Sequence, residues 1–241
     1  MGMLHNLADL IKIKKDKMTI LVLGLNNSGK SSIINHFKKS SEQTSIVVPT
    51  VGFMVEQFYI GMSVGFMVEQ FYIGMSVGFM VEQFYIGMSV GFMVEQFYIG
   101  MSGVSIKAID MSGATRYRNL WEHQFKNCHG IIYVIDSSDR MRFVVVKDEL
   151  DLVLQHPDLC NRIVPILFYG NKMDMEDSLS SVKIAAALRL ENIKDKPWHI
   201  CSSSAISGEG LGEGVQWLIQ QMRFAMLNNK NAAKSRSKHS K

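Results

Sequence analysis

Proline and cysteine are scarce in this 241-residue chain, with four prolines and three cysteines. An odd number of widely spaced thiols, Cys128, Cys160 and Cys201, excludes a disulfide framework and lacks metal-ligand spacing. It fits reduced thiols in a cytoplasmic setting. No apolar run reaches the roughly 18 residues that a membrane span needs. The N-terminus lacks a short apolar core followed by a small-residue cleavage site, so no secretory signal is expected. Charge is also sparse, at 20% of residues with a formal net charge of +4. That surplus sits at the C-terminus, where Lys230, Lys234, Arg236, Lys238 and Lys241 occur without an acid. The rest is near neutral, which argues against nucleic acid as a partner. Residues 227–241, basic and almost without apolar content, read as a disordered tail.

What is abundant is repetition. The stretch VGFMVEQFYIGMS, residues 51–63, occurs four times without a changed letter and ends at Ser102. Solenoid units span about 20–50 residues and drift in sequence. An odd-length unit would also turn its side chains to opposite sheet faces in successive copies. The repeat is therefore an expansion inside another fold. Each copy is expected to form a strand, Phe53–Ile60 in the first, followed by the breaker Gly61-Met62-Ser63. One copy supplies a strand and a turn, and residues 64–102 are three further copies extruded at a hairpin tip. Lengthening a loop from about 5 to about 44 residues opposes folding by about 2 kcal/mol, within what a domain tolerates.

The remainder alternates. Apolar runs at 18–24, 104–110, 130–138, 162–172 and 197–204 read as strands, and amphipathic stretches after Ser31 and near 143–155, 181–188 and 213–226 read as helices. Near-continuous apolar strands separated by helices predict an α/β fold with a mostly parallel sheet covered by helices on both faces.

GLNNSGKS, Gly24 to Ser31, follows the first strand and opens a helix, the setting in which G-x-x-x-x-G-K-[ST] is a phosphate loop. Glycines let the backbone wrap a polyphosphate, and inward N–H groups with a helix N-terminus attract anions. Gly24, Asn26, Asn27, Ser28, Gly29, Lys30, Ser31 and Ser32 are the predicted phosphate-binding set. Lys30 neutralises the terminal phosphates and Ser31 ligates Mg²⁺. Alone, the loop fits an ATPase, a nucleotide kinase or a GTPase.

NKMD, Asn171 to Asp174, selects the base. The Asp174 carboxylate accepts the paired N1–H and N2–H of guanine, and adenine would leave it unpaired at a loss of about 1.5–3 kcal/mol. Asn171 braces the loop and the Lys172 stem lies on the base. In CSSSA, Cys201 to Ala205, backbone N–H groups at Ser202 and Ser203 are candidates to meet the guanine oxygen, a plain polar loop being the other reading. Thr50, in VPTVGF, is placed to ligate Mg²⁺ when the γ-phosphate is present. Asp110 reaches the Mg²⁺ water shell, and the Gly113 N–H meets the γ-phosphate. Release of these contacts on hydrolysis makes a two-state switch.

Together GLNNSGKS, PTVGF, DMSGATRYRNLWEH, VIDSSDR, NKMD and LENIKDKPWHIC resemble the Arf-like group of small GTPases over residues 1 to about 226, apart from three repeat copies. The runs around RYRNLWEH and ENIKDKPWHIC are similar to its ciliary branch. The resemblance implies a P-loop small G-protein fold with a six-stranded sheet over residues 18–226, GTP/GDP exchange with Mg²⁺, and GTP-dependent membrane association. It also implies an exchange factor, a GTPase-activating protein, recruitment of a BBSome-like coat, and a place at the cilium base and ciliary membrane. Residues 1–17 form the expected amphipathic helix, with Met3, Leu4, Leu7, Leu10 and Ile11 on one stripe. The family places a water-orienting glutamine after the switch glycine, and Ala114 stands there. Turnover by the catalytic set Lys30 and Thr50 is therefore expected to be very slow, by on the order of 10²-fold. The alternative is a constitutively GTP-bound binding module.

Overall fold

The computed structural model describes residues 16–38, 43–44, 47, 50, 53–60, 64–66, 76–78, 87–89, 97–99 and 104–238. The chain divides into two compact units, one of residues 18–58 with 107–241 and the other containing 59–106.

The larger unit is built on a six-stranded sheet. Its strands are β1 (Asp16–Leu23), β2 (Phe53–Ile60), β7 (Val104–Met111), β8 (Gly130–Asp136), β9 (Ile166–Asn171) and β10 (Trp198–Ser202). They run in the order β10-β9-β8-β1-β7-β2. β1 pairs in parallel with β8, Ile20 opposite Gly130 and Leu23 opposite Tyr133. β8 pairs in parallel with β9 from Ile131–Ile166 to Asp136–Asn171, and β9 with β10 from Ile166–Trp198 to Gly170–Ser202. These registers end β1, β8 and β9 at one edge of the sheet, where parallel α/β sheets bind ligands. The β9 run expected from Arg162 starts at Ile166, because Pro165 has no N–H for the ladder.

β8 and β9 are buried along their whole length, as strands covered on both faces must be. Alternate residues serve opposite layers. Ile131, Tyr133, Ile135, Ile166 and Phe168 join one core with Val146, Leu150, Ile184 and Leu188. Those partners come from α3 (Phe143–Gln155) and α5 (Ser181–Leu188). On the other face α6 (Leu211–Lys238) brings Met222 and Leu218 onto Gly130, and the Tyr169 hydroxyl donates to the Leu211 carbonyl at 2.6 Å. Three further helices lie among the described residues: α1 (Lys30–Phe37), α2 (Glu122–Phe125) and α4 (Pro157–Cys160).

Three expectations are corrected. α6 continues to Lys238, where the sequence reading has a disordered tail from residue 227. Residues 227–238 contain no proline or glycine. Ala, Lys and Arg propagate a helix readily once its first turns are anchored by packing. The N-terminal helix was expected over 1–17, but Asp16 and Lys17 belong to β1, and residues 1–15 with their apolar stripe lie outside the described residues. The third concerns the repeat. The first copy forms its strand as expected, Phe53–Ile60. The fourth copy keeps the end of its expected window, β6 at Phe97–Ile99, whereas β3 (Val64–Phe66), β4 (Ser76–Gly78) and β5 (Gly87–Ser89) fall wholly or mostly outside theirs. The expected breaker Gly-Met-Ser is itself a strand at 87–89. β3 pairs antiparallel with β6, and β4 with β5. Identical copies give several windows the same intrinsic strand preference, so neighbours rather than local sequence select the one used.

Candidate nucleotide site

β1 ends at Leu23 and the chain turns at Gly24, φ 135°, where a Cβ would lie 2.2 Å from the Val134 carbonyl oxygen. Only glycine lets the loop leave between β1 and β8. At Gly29, φ 94°, a Cβ would fall 2.2 Å from Asn171 Nδ2. That vacancy lets Asn171 enter the loop, where its Nδ2 donates to the Ser28 carbonyl at 2.9 Å. The phosphate loop then opens α1, Ile33 N–H bonding the Gly29 carbonyl at 3.0 Å.

Lys30 is buried, and its Nζ donates to the Gly24 and Leu25 carbonyls at 2.9 and 2.7 Å. Burial pushes its pKa down to about 8. The Asp110 carboxylate opposes the shift, and Arg118 and Arg142 add to it. A phosphate chain would compensate this desolvated cation. Beside it, Ser31 Oγ lies 3.0 Å from Thr50 Oγ1, Thr50 Oγ1 donates to Asp110 Oδ2 at 3.1 Å, and Ser31 Oγ donates to the same oxygen. Two hydroxyls and a carboxylate are hard oxygen donors, the chemistry Mg²⁺ takes, usually with several waters retained. The residues present fit that ion.

These groups open onto a cavity of about 280 Å³ lined by Asn26, Asn27, Gly29, Lys30, Ser31, Ser32, Val47, Thr50, Ser112, Gly113 and Ala114. Asn27 is left-handed at φ 64°. Of the expected phosphate set, only Gly24 and Ser28 stand behind this wall, both buried. Ala114 does line the cavity and offers only a methyl group.

The segment around Gly113 is held by residues the motifs did not reveal. Trp121 Nε1 donates to the Ser112 carbonyl at 2.9 Å, and Arg118 Nε to the Gly113 carbonyl at 2.9 Å. Arg118 Nη1 also meets Glu149 of α3 at 2.7 Å. Arg142 reaches the phosphate loop at Asn26, its Nη1 donating to the backbone carbonyl at 2.9 Å. No local pattern marks Arg142, because its carbonyl partner lies 116 residues away in the chain, and Arg118 is tied to α3 through Glu149 rather than by a motif.

The base end is organised by Asn171, whose Oδ1 also accepts the Ala205 N–H at 3.0 Å. Lys172, left-handed at φ 65°, pairs with Asp136 at 2.7 Å. Burial raises the Asp136 pKa, but hydrogen bonds from Lys172 and Ser138 outweigh it and hold the carboxyl below its usual range. Asp174 accepts a hydrogen bond from Ser204 Oγ at 2.6 Å.

This corrects the expected last guanine loop by two residues. Ser202 still pairs with Gly170 in β10, and its hydroxyl accepts the Ser181 N–H at 3.3 Å at the start of α5. Ser203 is fully buried, its N–H bonded to the Gly170 carbonyl at 2.8 Å. Ser204 and Ala205 are the pair that meets Asp174 and Asn171. Three consecutive serines have the same side-chain chemistry, so only the end of the β9–β10 ladder picks the one that meets Asp174.

Comparison with known proteins agrees with this geometry. The profile of the ADP-ribosylation factor family matches residues 3–74 and 82–222. The ADP-ribosylation factor-like protein 6 of Danio rerio is 44% identical over 223 residues, covering 92% of this chain and 98% of that protein. Its namesake from Caenorhabditis elegans is 32% identical over 222 residues, covering 92% and 95%. Among solved structures, the Arl6 BBS3 small GTPase of Trypanosoma brucei, with the nucleotide analogue GppNp bound, superposes with a TM-score of 0.65 at 29% identity. It covers 87% of this chain and 99% of that one. With its phosphate loop, guanine loop and sheet order in place, this chain belongs to the ADP-ribosylation factor family of GTP-binding small GTPases.

Proposed function

We propose that the protein is a Mg²⁺-dependent GTP/GDP switch that associates with membrane in its GTP state and recruits a BBSome-like coat or trafficking complex in ciliary transport, with very slow hydrolysis. The observation that carries the switch is the meeting of Thr50, Ser31 and Asp110. Thr50 lies on the segment before β2, and its hydroxyl reaches both partners across long sequence separations. A bound Mg²⁺ would be held by Ser31 and Thr50 with Asp110 behind its waters, and would neutralise charge on the phosphate oxygens. Lys30 leaves the Gly24 and Leu25 carbonyls for the phosphates. Asp174, oriented by Ser204, takes the guanine N1–H and N2–H, and Asn171 locks phosphate loop to base loop.

Hydrolysis transfers the γ-phosphoryl group to water and releases GDP and phosphate. Ala114 orients no water, so positioning is lost and the rate falls. Family membership favours slow turnover over a permanently loaded module. The membrane surface and the coat are proposed from the likeness to ADP-ribosylation factor-like protein 6 and from the amphipathic pattern of residues 1–15. The place of action is the cytoplasmic face of membranes at the cilium base and in the cilium, where an exchange factor and a GTPase-activating protein would set the state.

Competition binding with GTP and ATP in Mg²⁺ tests the base assignment, and equal affinities would refute it. Flotation with anionic vesicles, loaded with GDP or a non-hydrolysable GTP analogue, tests the membrane arm. Recovery that ignores the nucleotide would remove that arm. In single-turnover assays Ala114→Gln should raise hydrolysis by on the order of 10²-fold. An unchanged rate would exonerate Ala114.

A further inference from the structure

The cavity wall facing Ala114 carries the side-chain carboxamide of Asn26, a member of the expected phosphate-loop set whose side chain has so far been given no part of its own. Asn26 is exposed on the phosphate loop and lines the same cavity as Lys30, Thr50, Gly113 and Ala114. Gly113 lies directly against it, since a Cβ built there would fall 2.3 Å from the Asn26 backbone nitrogen. Asn26 therefore sits at the γ-phosphate end of the site, beside the glycine whose N–H meets that group. The guanine end, with Asn171 and Asp174, approaches the loop from its other side at Ser28.

The carboxamide oxygen has a cationic partner. Arg142 Nη1 lies 2.9 Å from the Asn26 carbonyl oxygen and 3.3 Å from Asn26 Oδ1. Arginine only donates, so the amide oxygen must face it and the amide nitrogen, with two N–H donors, turns away. Arg142 is itself held, its Nε donating to Asp139 Oδ2 at 2.6 Å. This pair stands at the start of α3, where it is independent of Thr50 and of the Gly113 N–H.

We propose that Asn26 is a specificity-determining residue for the third phosphate, its Nδ2 donating to a γ-phosphate oxygen while Arg142 acts as the positioning residue that keeps the amide nitrogen aimed at it. This deepens the GTP-switch reading and rests on it. GDP ends short of Asn26, so the contact strengthens GTP binding selectively. A donor on a charged phosphate oxygen is worth about twice a neutral hydrogen bond.

The test is titration of the nucleotide-stripped full-length protein with GDP and with the non-hydrolysable analogue GppNp, both in Mg²⁺. Asn26→Ala should lower affinity for GppNp about tenfold more than affinity for GDP. Arg142→Ala should lower the GppNp-to-GDP ratio about fivefold in the wild-type background and by less than twofold in the Asn26→Ala background, because it acts through Asn26. Equal losses for both nucleotides would mean that the residue only shapes the loop, and would overturn the proposal. So would a ratio that stays within twofold in both single variants. Wild-type protein that binds neither nucleotide would instead sink the GTP reading, and this inference with it.

Discussion

Replacing Asn171 by alanine tests the joint between the two halves of the site. Asn171 is 1% exposed. Its Nδ2 donates to the Ser28 carbonyl at 2.9 Å and its Oδ1 accepts the Ala205 N–H at 3.0 Å. Alanine removes both bonds and strands two backbone groups. The Ser28 carbonyl belongs to a buried residue, so its loss falls in the range of about 1–3 kcal/mol for an unsatisfied buried group. Ala205 is half-buried and water recovers part of the second bond, leaving about 1 kcal/mol. The sum is about 3 kcal/mol. For a domain of this size each kcal/mol moves the midpoint by about 2–4 °C, so Tm of the nucleotide-free variant should fall by about 6–12 °C. Nucleotide dissociation should accelerate at the same time, because the phosphate and base loops no longer move as one. Circular-dichroism melts and stopped-flow release of a fluorescent GDP measure the two effects. A melt within 2 °C of wild type, with unchanged release, would refute Asn171 as the brace.

Three further outcomes follow. The Lys30 pKa of about 8 in the empty protein should be raised by bound phosphates, so binding takes up a proton above that pH. Affinity for GDP should then fall as pH rises beyond about 8, by up to tenfold per unit, and a flat profile between pH 8 and 9.5 would oppose this. Ser204→Ala should weaken guanine-nucleotide binding by about tenfold through loss of a hydrogen bond to the Asp174 carboxylate, whereas Ser202→Ala should leave it within about twofold; the reverse order would restore the earlier register of the loop. Deleting residues 64–102 should preserve nucleotide binding and raise stability by about 2 kcal/mol, which denaturant titration reads directly, and loss of GDP binding would show that the extra copies are structural.

The chemistry of the site was legible because it is written in consecutive residues. The phosphate loop, NKMD and the switch glycine each carry their meaning within a few letters, and the parallel sheet follows from buried apolar runs between helices. The choice among Ser202, Ser203 and Ser204 was not legible, since the end of a hydrogen-bonded ladder decides it. Nor was the reach of α6, whose last turns extend from a helix anchored on Gly130 and Tyr169.

The sequence alone thus marked the groups expected to bind a triphosphate and the acid expected to read the base, because these motifs depend on residue identity at short spacing, and the family resemblance marked Ala114 as the place of the expected glutamine. Tertiary structure decided which backbone carbonyls Arg142 and Asn171 hold, which serine meets Asp174, and which windows of four identical copies become strands. Those outcomes depend on contacts between residues far apart in the chain, and local sequence carries no energy difference that would select among them.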